Sequence, residues 1–487
     1  MNLNWTEASR SLTKCQLVLM LTLVSLTPSP AQAGLDEKSK VLAEWIVNFR
    51  IETLPDLTTA PQRATTPKTF QWLDALAIAP AEPADWTPIT RAVPGVFIKG
   101  TLKDDQQGRF LLRLPKEWNG KLVVAGAAGT RSEFNGDLVI SDFVLQKGYA
   151  YASQNKGMLN FEPSDISNPN ACPPRPLADA EAGSDANQLL YFHLLDSGNS
   201  LAEWGERINQ AALIAKALIE AHYGWKPSRT YAMGVSNGGY QVRKAIEDHP
   251  ETFDGGVEWE AVLWQRNGPN FIGELPVGLK QFPSYRDKHL NPNSPEAKAI
   301  QAADFPPDLV ENGTSLWNLN RSRLWELTEC LYVRKLDPDY DAQPDFTALA
   351  NYDYVTRPES VRKTIATFAN NGIVRRPLIS VHGTLDALIP LKGHARPYKA
   401  LVEAKGYGQN YRLYEVQNGN HLDSLKGSKA EQLPDLELIQ PHAHKAFELL
   451  EAWVERGIAP PPSQCIQRGG SIVDRPQATE CEILLEP

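Results

Sequence analysis

The segment 234–239 reads Gly-Val-Ser-Asn-Gly-Gly and could make Ser236 a nucleophile. It follows the apolar run 230–233 and precedes a helix-like stretch, 240–248. A strand, a serine between glycines and a helix are typical of a nucleophile elbow, because glycines let the backbone approach closely at the strained turn that presents the serine. The first N–H groups of the helix would favour an oxyanion beside the serine. An ordinary strand–loop–helix connection is the alternative, and the flanking elements favour the elbow.

A serine hydroxyl needs a base that takes its proton and a carboxylate that orients the base. Asp386 lies just beyond the strand-like run 377–381, and His421 lies just beyond the run 411–416. Together with Ser236 they have the chain order serine, acid, histidine that is typical of the α/β-hydrolase fold. Because each residue follows a predicted strand, the pattern predicts that the three converge as a catalytic triad at one edge of a sheet.

Other roles remain open for these side chains. Asp386 could be a turn carboxylate or a helix cap, and His421 could be an exposed loop histidine. His382 and His394 compete with His421 as the base. His382 precedes the acid at a strand end, which favours a packing or supporting role.

Two backbone N–H groups should hold the oxyanion that forms on a substrate. One belongs to Asn237, directly after the nucleophile, and the other should come from the loop 126–130, Gly-Ala-Ala-Gly-Thr. The small residues of this loop let the backbone face a substrate, so Ala127 or Ala128 is the expected donor. A simple tight turn is the alternative.

Strand-like and helix-like runs alternate along much of the chain and predict an α/β fold, a mostly parallel sheet flanked by helices. The predicted strands are 95–100, 109–114, 121–126, 149–153, 230–233, 256–263, 377–381 and 411–416. The predicted helices are 35–54, 140–147, 200–224, 240–248, 394–405 and 441–456. Residues 265–375 break the alternation and are expected to be a long, irregular insertion that covers the carboxyl ends of the strands as a lid.

These runs divide the chain into the following predicted parts. They are an N-terminal helix and proline-rich linker (34–94), a core (95–264 and 376–456), the inserted lid (265–375) and a C-terminal tail (457–487). The opening segment 1–33 has the basic start, apolar stretch and Ala-Gln-Ala end of a cleaved signal peptide, with a signal anchor as the alternative. A secreted or periplasmic protein is therefore expected.

The cysteines indicate the redox environment of the protein, and the net charge argues against some classes of partner. Cys15 lies in the expected signal peptide, and the other four of the five cysteines are expected to pair as Cys465–Cys481, closing the tail, and Cys172–Cys330. Zinc is disfavoured because no two cysteines have the short spacing of a zinc site. The net charge of −9 argues against nucleic acid or an anionic membrane as partner, and no later segment is apolar enough to enter a membrane stably.

The segment 234–239, together with His-Pro-Glu-Thr-Phe-Asp-Gly-Gly at 249–256, resembles the tannase and feruloyl esterase family and the related 3-hydroxybutyrate oligomer hydrolases. The segments 147–153 and 382–390 are similar to the strand after the oxyanion loop and to the acid motif of that family. The likeness covers most of 95–456. It implies an α/β-hydrolase that cleaves a small-molecule or oligomeric carboxylic ester, phenolic or hydroxyalkanoate, through an acyl-enzyme and without a required cofactor.

The sequence departs from the family at two places. Tannases typically have disulfide-linked cysteines just before the serine and just after the histidine, and here Val235 and Leu422 occupy those positions. That disulfide is therefore absent, and the expected activity is ester hydrolysis rather than strict tannase activity.

The resemblance also suggests residues around the site. Lids of this family commonly hold a structural calcium ion, and Asp337, Asp339 and Asp341 offer alternate carboxylates for one, with a solvated acidic turn as the alternative. Four tryptophans are expected to line an apolar or phenolic pocket, with core packing as the alternative. They are Trp259, Trp264, Trp317 and Trp325.

A secreted serine esterase is the leading functional hypothesis. A serine peptidase could use the same triad and fold, and would cleave amides as well as esters. A non-catalytic binding protein of this fold is the third hypothesis, and it predicts an incomplete triad.

Overall fold

The computed structural model describes residues 40–63, 78–130, 132–164, 167–168, 170–172, 189–340 and 346–483. The expected signal peptide 1–33, residues 64–77 of the predicted linker, and Asp341 lie outside the described residues. No helix within the described ranges combines the length and the apolar character needed to cross a bilayer.

The centre of the fold is a ten-stranded sheet with the order β1-β2-β3-β5-β4-β8-β9-β12-β13-β14. The strands of the chain are β1 (Ile46–Leu54), β2 (Gly95–Leu102), β3 (Arg109–Pro115), β4 (Lys121–Gly126), β5 (Ala150–Gln154), β6 (Phe161–Ser164), β7 (Leu189–Phe192), β8 (Arg229–Val235), β9 (Gly255–Trp259), β10 (Val310–Glu311), β11 (Thr314–Ser315), β12 (Leu378–Gly383), β13 (Tyr411–Val416) and β14 (Gln464–Ile466). From β5 to β14 every neighbouring pair is parallel, whereas β1, β2, β3 and β5 pair antiparallel. The strand pairs β6–β7 and β10–β11 form two small separate sheets.

Helices cover both faces of the sheet. The helices are α1 (Ala60–Arg63), α2 (Asp142–Gln146), α3 (Trp204–Tyr223), α4 (Asn237–Asp248), α5 (Phe271–Asp287), α6 (Pro295–Ala302), α7 (Leu316–Asn320), α8 (Glu326–Leu336), α9 (Phe346–Ala350), α10 (Glu359–Ala366), α11 (Ala395–Ala404) and α12 (Gln440–Arg456). Leu122 and Val124 of β4 pack in one apolar cluster with α3, and Val123 packs in another with Phe447 of α12. This two-faced burial explains the continuous apolar run of β4 and confirms the predicted α/β-hydrolase class.

The predicted N-terminal helix 35–54 is wrong over most of its described length. Only residues 40–45 are helical, and Ile46–Leu54 form β1, which pairs antiparallel with β2. The β-branched residues of this segment favour an extended chain, and β2 supplies the hydrogen-bond partners that the sequence pattern could not reveal. The predicted strand 256–263 is also too long, because β9 ends at Trp259.

The inserted segment 265–375 is mostly helical, so the expectation of an irregular stretch is wrong. It contains α5 to α10, and α5 continues through Pro276 and Pro283. Phe271, Leu275, Leu279 and Phe282 recur at helical spacing and are buried. Packing of this apolar stripe in one cluster with the other lid helices outweighs the helix-breaking tendency of the prolines.

Both expected disulfides form. Cys172–Cys330 ties the segment before β7 to α8 of the inserted segment, and Cys465–Cys481 closes the C-terminal segment. That segment also contributes β14 to the edge of the sheet, which the sequence analysis did not predict.

Candidate active site

Ser236 occupies a strained turn between β8 and α4. Its φ of 59° and ψ of −124° lie outside the regions that ordinary residues prefer. A Cβ at Gly234 would collide with the carbonyl of Gly238, and a Cβ at Gly238 would collide with the carbonyl of Gly126. The glycines of the motif are therefore required by close backbone contacts, as a nucleophile elbow demands.

The structure brings Ser236, His421 and Asp386 together, although they are far apart in sequence. The Nε2 atom of His421 lies 3.1 Å from Oγ of Ser236, and its Nδ1 atom lies 2.8 Å from Oδ2 of Asp386. Oδ1 of Asp386 accepts hydrogen bonds from the backbone N–H groups of Leu388 (2.8 Å) and Ile389 (2.7 Å). All three side chains are buried or nearly so, and the arrangement can relay a proton from the hydroxyl to the imidazole.

The electrostatics of Asp386 favour its ionised form. Burial opposes ionisation, but the charge of His421 and the hydrogen bond from its ring outweigh burial and lower the pKa of Asp386 below its usual value. An ionised Asp386 orients the imidazole with its proton on Nδ1, which leaves Nε2 able to accept the proton of Ser236.

The two competing histidines are engaged elsewhere. Nε2 of His382 donates to the carbonyl oxygen of Ile389 at 2.7 Å. Nδ1 of His394 accepts from the backbone N–H of Leu263 at 2.9 Å, and its Nε2 lies 2.8 Å from Glu274. Both support loops around the site rather than contacting Ser236.

The predicted oxyanion donors of the loop after β4 need a correction. The N–H of Ala127 donates to Oε1 of Gln241 (3.1 Å), and the N–H of Ala128 donates to Oδ1 of Asn135 (2.9 Å). Neither group is therefore directed at a substrate, because both satisfy buried side chains. The next residue, Gly129, lines the cavity beside Ser236, and Asn237 begins α4 as expected.

A buried lysine holds the same loop from its other side. Lys156 is 2% exposed, and its Nζ donates to the carbonyl oxygen of Ala127 at 2.6 Å. The ammonium group also lies 5.1 Å from the ring centroid of Trp204. Lys156 and Gln241 together fix both polar groups of Ala127, and the sequence analysis singled out neither residue.

A cavity of about 110 Å³ opens above Ser236 and His421. Its apolar lining includes Phe161, Phe192, Phe271, Leu324, Leu327 and Leu331. Two of the polar side chains in this lining are hydrogen-bonded to each other, since Nδ2 of Asn237 donates to the hydroxyl of Tyr332 at 2.8 Å. Oδ1 of Asn237 is buried and has no hydrogen-bond partner among the described residues.

The four predicted tryptophans do not line this cavity. All are buried in the core, and Trp264 packs between Phe271, Tyr332 and Phe368. The indole N–H groups of Trp317 and Trp325 donate to the backbone carbonyls of Pro306 and Ala387. They are structural, because large aromatic side chains contribute most when they are fully buried. The four are Trp259, Trp264, Trp317 and Trp325.

The predicted calcium ligands do not fit a calcium ion in the described residues. Asp337 is buried, forms an ion pair with Arg357 and accepts a hydrogen bond from Tyr352. Asp339 lies in the turn after α8. Calcium requires six to eight oxygen ligands, and a guanidinium group already neutralises the carboxylate of Asp337.

Two segments of the chain match known protein families. Residues 93–261 match the family described as tannase and feruloyl esterase, and residues 335–482 match the 3HB-oligomer hydrolases. Over these segments the chain is similar to the tannases and feruloyl esterases and to the oligomer hydrolases. Both are families of carboxylic ester hydrolases, as the resemblance in the sequence predicted.

Individual relatives match over limited segments. A D-(-)-3-hydroxybutyrate oligomer hydrolase of Paraburkholderia xenovorans (strain LB400) is 30% identical over 120 residues, which are 23% of this chain and 16% of that protein. A mono(2-hydroxyethyl) terephthalate hydrolase of Piscinibacter sakaiensis is 28% identical over 198 residues, 40% of this chain and 30% of that protein. The chain thus covers less than a third of the length of either of these curated proteins.

A solved structure matches over a longer range. Feruloyl esterase B from Aspergillus oryzae aligns with 88% of this chain and 92% of its own, with a TM-score of 0.47 and 15% sequence identity.

Proposed function

We propose that the protein is a serine carboxylic-ester hydrolase. The observation that carries the proposal is the hydrogen-bonded series Ser236–His421–Asp386 at the base of an apolar cavity. Ser236 attacks the ester carbonyl while His421 takes its proton, and Asp386 stabilises the imidazolium that forms. His421 then protonates the leaving alcohol, and water releases the acyl group by the same route in reverse. These proton transfers need no cofactor.

The oxyanion is held by the backbone N–H groups of Asn237 and Gly129 in this proposal. Asn237 is the first residue of α4, so its N–H has no carbonyl within the helix to bond. Gly129 takes the place of Ala127 and Ala128, whose N–H groups are used by buried side chains. Both donors belong to the lining of the cavity next to Ser236.

Lys156 should matter for the rate because it fixes the oxyanion loop. We expect Lys156→Met to lower kcat by roughly tenfold with little change in KM, since a misplaced donor is felt mainly in the transition state. Steady-state kinetics on a simple ester would measure this. The exposed Lys116→Met is the matched control and should keep kcat within about twofold. A Lys156→Met enzyme with reduced thermal stability but unchanged kcat would contradict the positioning role.

The cavity indicates which acyl groups fit. Among the described lining residues there is no Lys, Arg, Asp or Glu, so a charged acyl group would be buried without a partner. The hydroxyl of Tyr332, which stands in this lining, can pair with one hydroxyl of a substrate. We therefore propose neutral phenolic or hydroxyalkanoate esters as substrates. Mono(2-hydroxyethyl) terephthalate, named for one relative, carries a carboxylate and is disfavoured.

A matched ester series tests this proposal. We expect kcat/KM for methyl 4-hydroxycinnamate to exceed that for methyl 4-carboxycinnamate by roughly 100-fold or more, because burial of an unpaired carboxylate costs several kcal/mol. Methyl 4-methoxycinnamate controls for size and should fall between them. Equal kcat/KM for methyl 4-carboxycinnamate and methyl 4-hydroxycinnamate would overturn the proposal that the cavity takes neutral acyl groups.

The same assays separate the alternative functions. Cleavage of the matching anilide at a rate similar to that of the ester would favour a peptidase. Failure of a fluorophosphonate to label the folded protein would favour a non-catalytic protein.

We also propose that the protein is exported to the periplasm or the medium. Two disulfides favour an oxidising compartment, since thiols stay reduced in the cytosol. The expected signal peptide agrees with that location.

A further inference from the structure

A second buried carboxyl lies behind the candidate triad. Glu260 directly follows β9, is fully buried and has a φ of 51°, which is uncommon for a residue other than glycine. It belongs to a cluster of three side chains, and one atom from each lies within 4.8 Å of the other two. The three are Glu260, His382 and Asp386. The proposed mechanism assigns no role to Glu260.

The contacts of Glu260 leave one of its oxygens unsatisfied. Oε1 accepts a hydrogen bond from the backbone N–H of Gly383 at 2.8 Å. Oε2 is buried and has no hydrogen-bond partner among the described residues. Nε2 of His382 is 3.2 Å from Oε2, but it donates to the carbonyl of Ile389. Oε2 is thus the natural position for a proton.

Two carboxyl groups in one buried site cannot both be ionised without a cation between them. Asp386 receives three hydrogen bonds, from Leu388, Ile389 and His421, whereas Glu260 receives one. The single negative charge therefore stays on Asp386, and the proton stays on Glu260.

The surrounding charges support this distribution. Burial and the neighbouring Asp386 raise the pKa of Glu260 well above its usual value, and the charge of Asp423 adds to the effect. Burial lowers the pKa of His382 to about 4, so this ring is neutral at pH 7 and supplies no cation. The nearby Arg243 is paired with Glu258. His394, whose charge also acts on His382, is paired with Glu274.

We propose that Glu260 is a protonated carboxylic acid that donates a hydrogen bond to Asp386 and so positions the Asp386–His421 pair. The inference rests on the proposed function, because it assigns a task to a residue behind the same triad. The hydrogen bond holds the carboxylate of Asp386 in place and spreads its charge. It thereby limits the basicity of His421 and keeps the imidazole able to return its proton to the leaving alcohol.

A metal ion is not a better occupant of this cluster. Both oxygens of Asp386 already accept hydrogen bonds, and Nε2 of His382 carries the proton that it donates to Ile389. Nε2 of His382, which lies 3.2 Å from Oε2 of Glu260 and 3.7 Å from Oδ2 of Asp386, has no lone pair to offer a metal while it carries this proton.

The pH dependence of kcat/KM for Glu260→Gln and Glu260→Leu tests the proposal. Gln keeps a neutral hydrogen-bond donor, so we expect Glu260→Gln to retain kcat within about fivefold. The acid limb of the profile, which is the fall of kcat/KM toward low pH as His421 is protonated, should stay in place. Leu has no donor, so we expect kcat to fall by roughly tenfold or more at similar KM and the acid limb to move to higher pH. If Glu260 were instead ionised, Glu260→Gln would remove a negative charge and move the acid limb down by about one pH unit.

A readout without catalysis separates this inference from the proposed function. The infrared difference spectrum of wild type minus Glu260→Gln at neutral pH should show the carbonyl band of a protonated carboxyl. Glu329→Gln, which alters another fully buried carboxyl outside the cluster, controls for unspecific changes and should leave the pH profile unaltered. A carboxylate band in place of the protonated band would overturn the proposal. A wild type that shows the protonated band but hydrolyses no ester would refute the esterase function alone.

Discussion

Replacing Ser236 by alanine is expected to lower kcat for ester hydrolysis by roughly 10⁴-fold or more, because it removes the only atom in the proposed mechanism that can form the acyl-enzyme. The fold should survive, since the side chain is small and, within the described ranges, its hydroxyl is hydrogen-bonded to His421 alone. Steady-state kinetics and thermal unfolding on the same preparation would measure both effects.

The matched control for this variant lies at the other end of the same strand. Ser228 precedes β8, and its hydroxyl donates to the carbonyl of Gly120 at 3.0 Å, away from the carboxyl end of the sheet. Ser228→Ala should keep kcat within about twofold. Fluorophosphonate should label wild type and Ser228→Ala but not Ser236→Ala. Full activity of a properly folded Ser236→Ala enzyme would refute the assignment of the nucleophile.

Replacing Asp386 by asparagine is expected to lower kcat by about 10⁴-fold through the tautomer of His421. The backbone N–H groups of Leu388 and Ile389 both point at Oδ1, so the amide oxygen of asparagine would take that place. The NH₂ group of the asparagine would then face Nδ1 of His421. Because an NH₂ group can only donate, Nδ1 would have to accept the hydrogen bond and could not carry the ring proton. The ring proton would move to Nε2 and point at Ser236, so the imidazole could no longer accept the hydroxyl proton.

The dependence of activity on pH and the thermal stability of Asp386→Asn test this explanation. Asp386→Asn should fold, because the asparagine keeps two of the three hydrogen bonds, and activity should rise with pH as hydroxide replaces the missing base. Asp353→Asn, at an exposed helix cap of the lid, is the control and should retain activity, since asparagine caps as well as aspartate. Near wild-type kcat in Asp386→Asn would exclude Asp386 as the orienting acid and direct attention to Glu260.

Several parts of the site could be predicted because their signals are local. The glycines around Ser236 are dictated by backbone contacts within one turn. Asp386 and His421 each follow an apolar run that forms a strand, β12 or β13, and the carboxyl ends of parallel strands meet at one edge. The cysteine pairs could also be predicted, because only four cysteines remain beyond the expected signal peptide.

Other parts of the site depend on which atoms meet across the fold. Nothing local to Ala127 or Ala128 shows that Gln241 and Asn135 accept from their N–H groups. Glu260 lies inside the predicted strand 256–263, where a carboxyl in an apolar run was a usable signal, but the charge that it meets comes from a loop more than a hundred residues later. The burial of the tryptophans was equally out of reach, since an aromatic residue suits a core and a pocket alike.

The sequence alone determined the α/β class, the order of the nucleophile, acid and base candidates, and the cysteine pairs, because periodicity, glycine placement and chain order carry that information. Tertiary structure alone decided that 46–54 is an edge strand and that 271–287 is a helix despite its prolines. It also decided that the N–H groups of Ala127 and Ala128 bond to buried side chains and that Glu260 lies beside Asp386. These outcomes depend on hydrogen-bond partners and on burial, and both arise only when distant segments pack together.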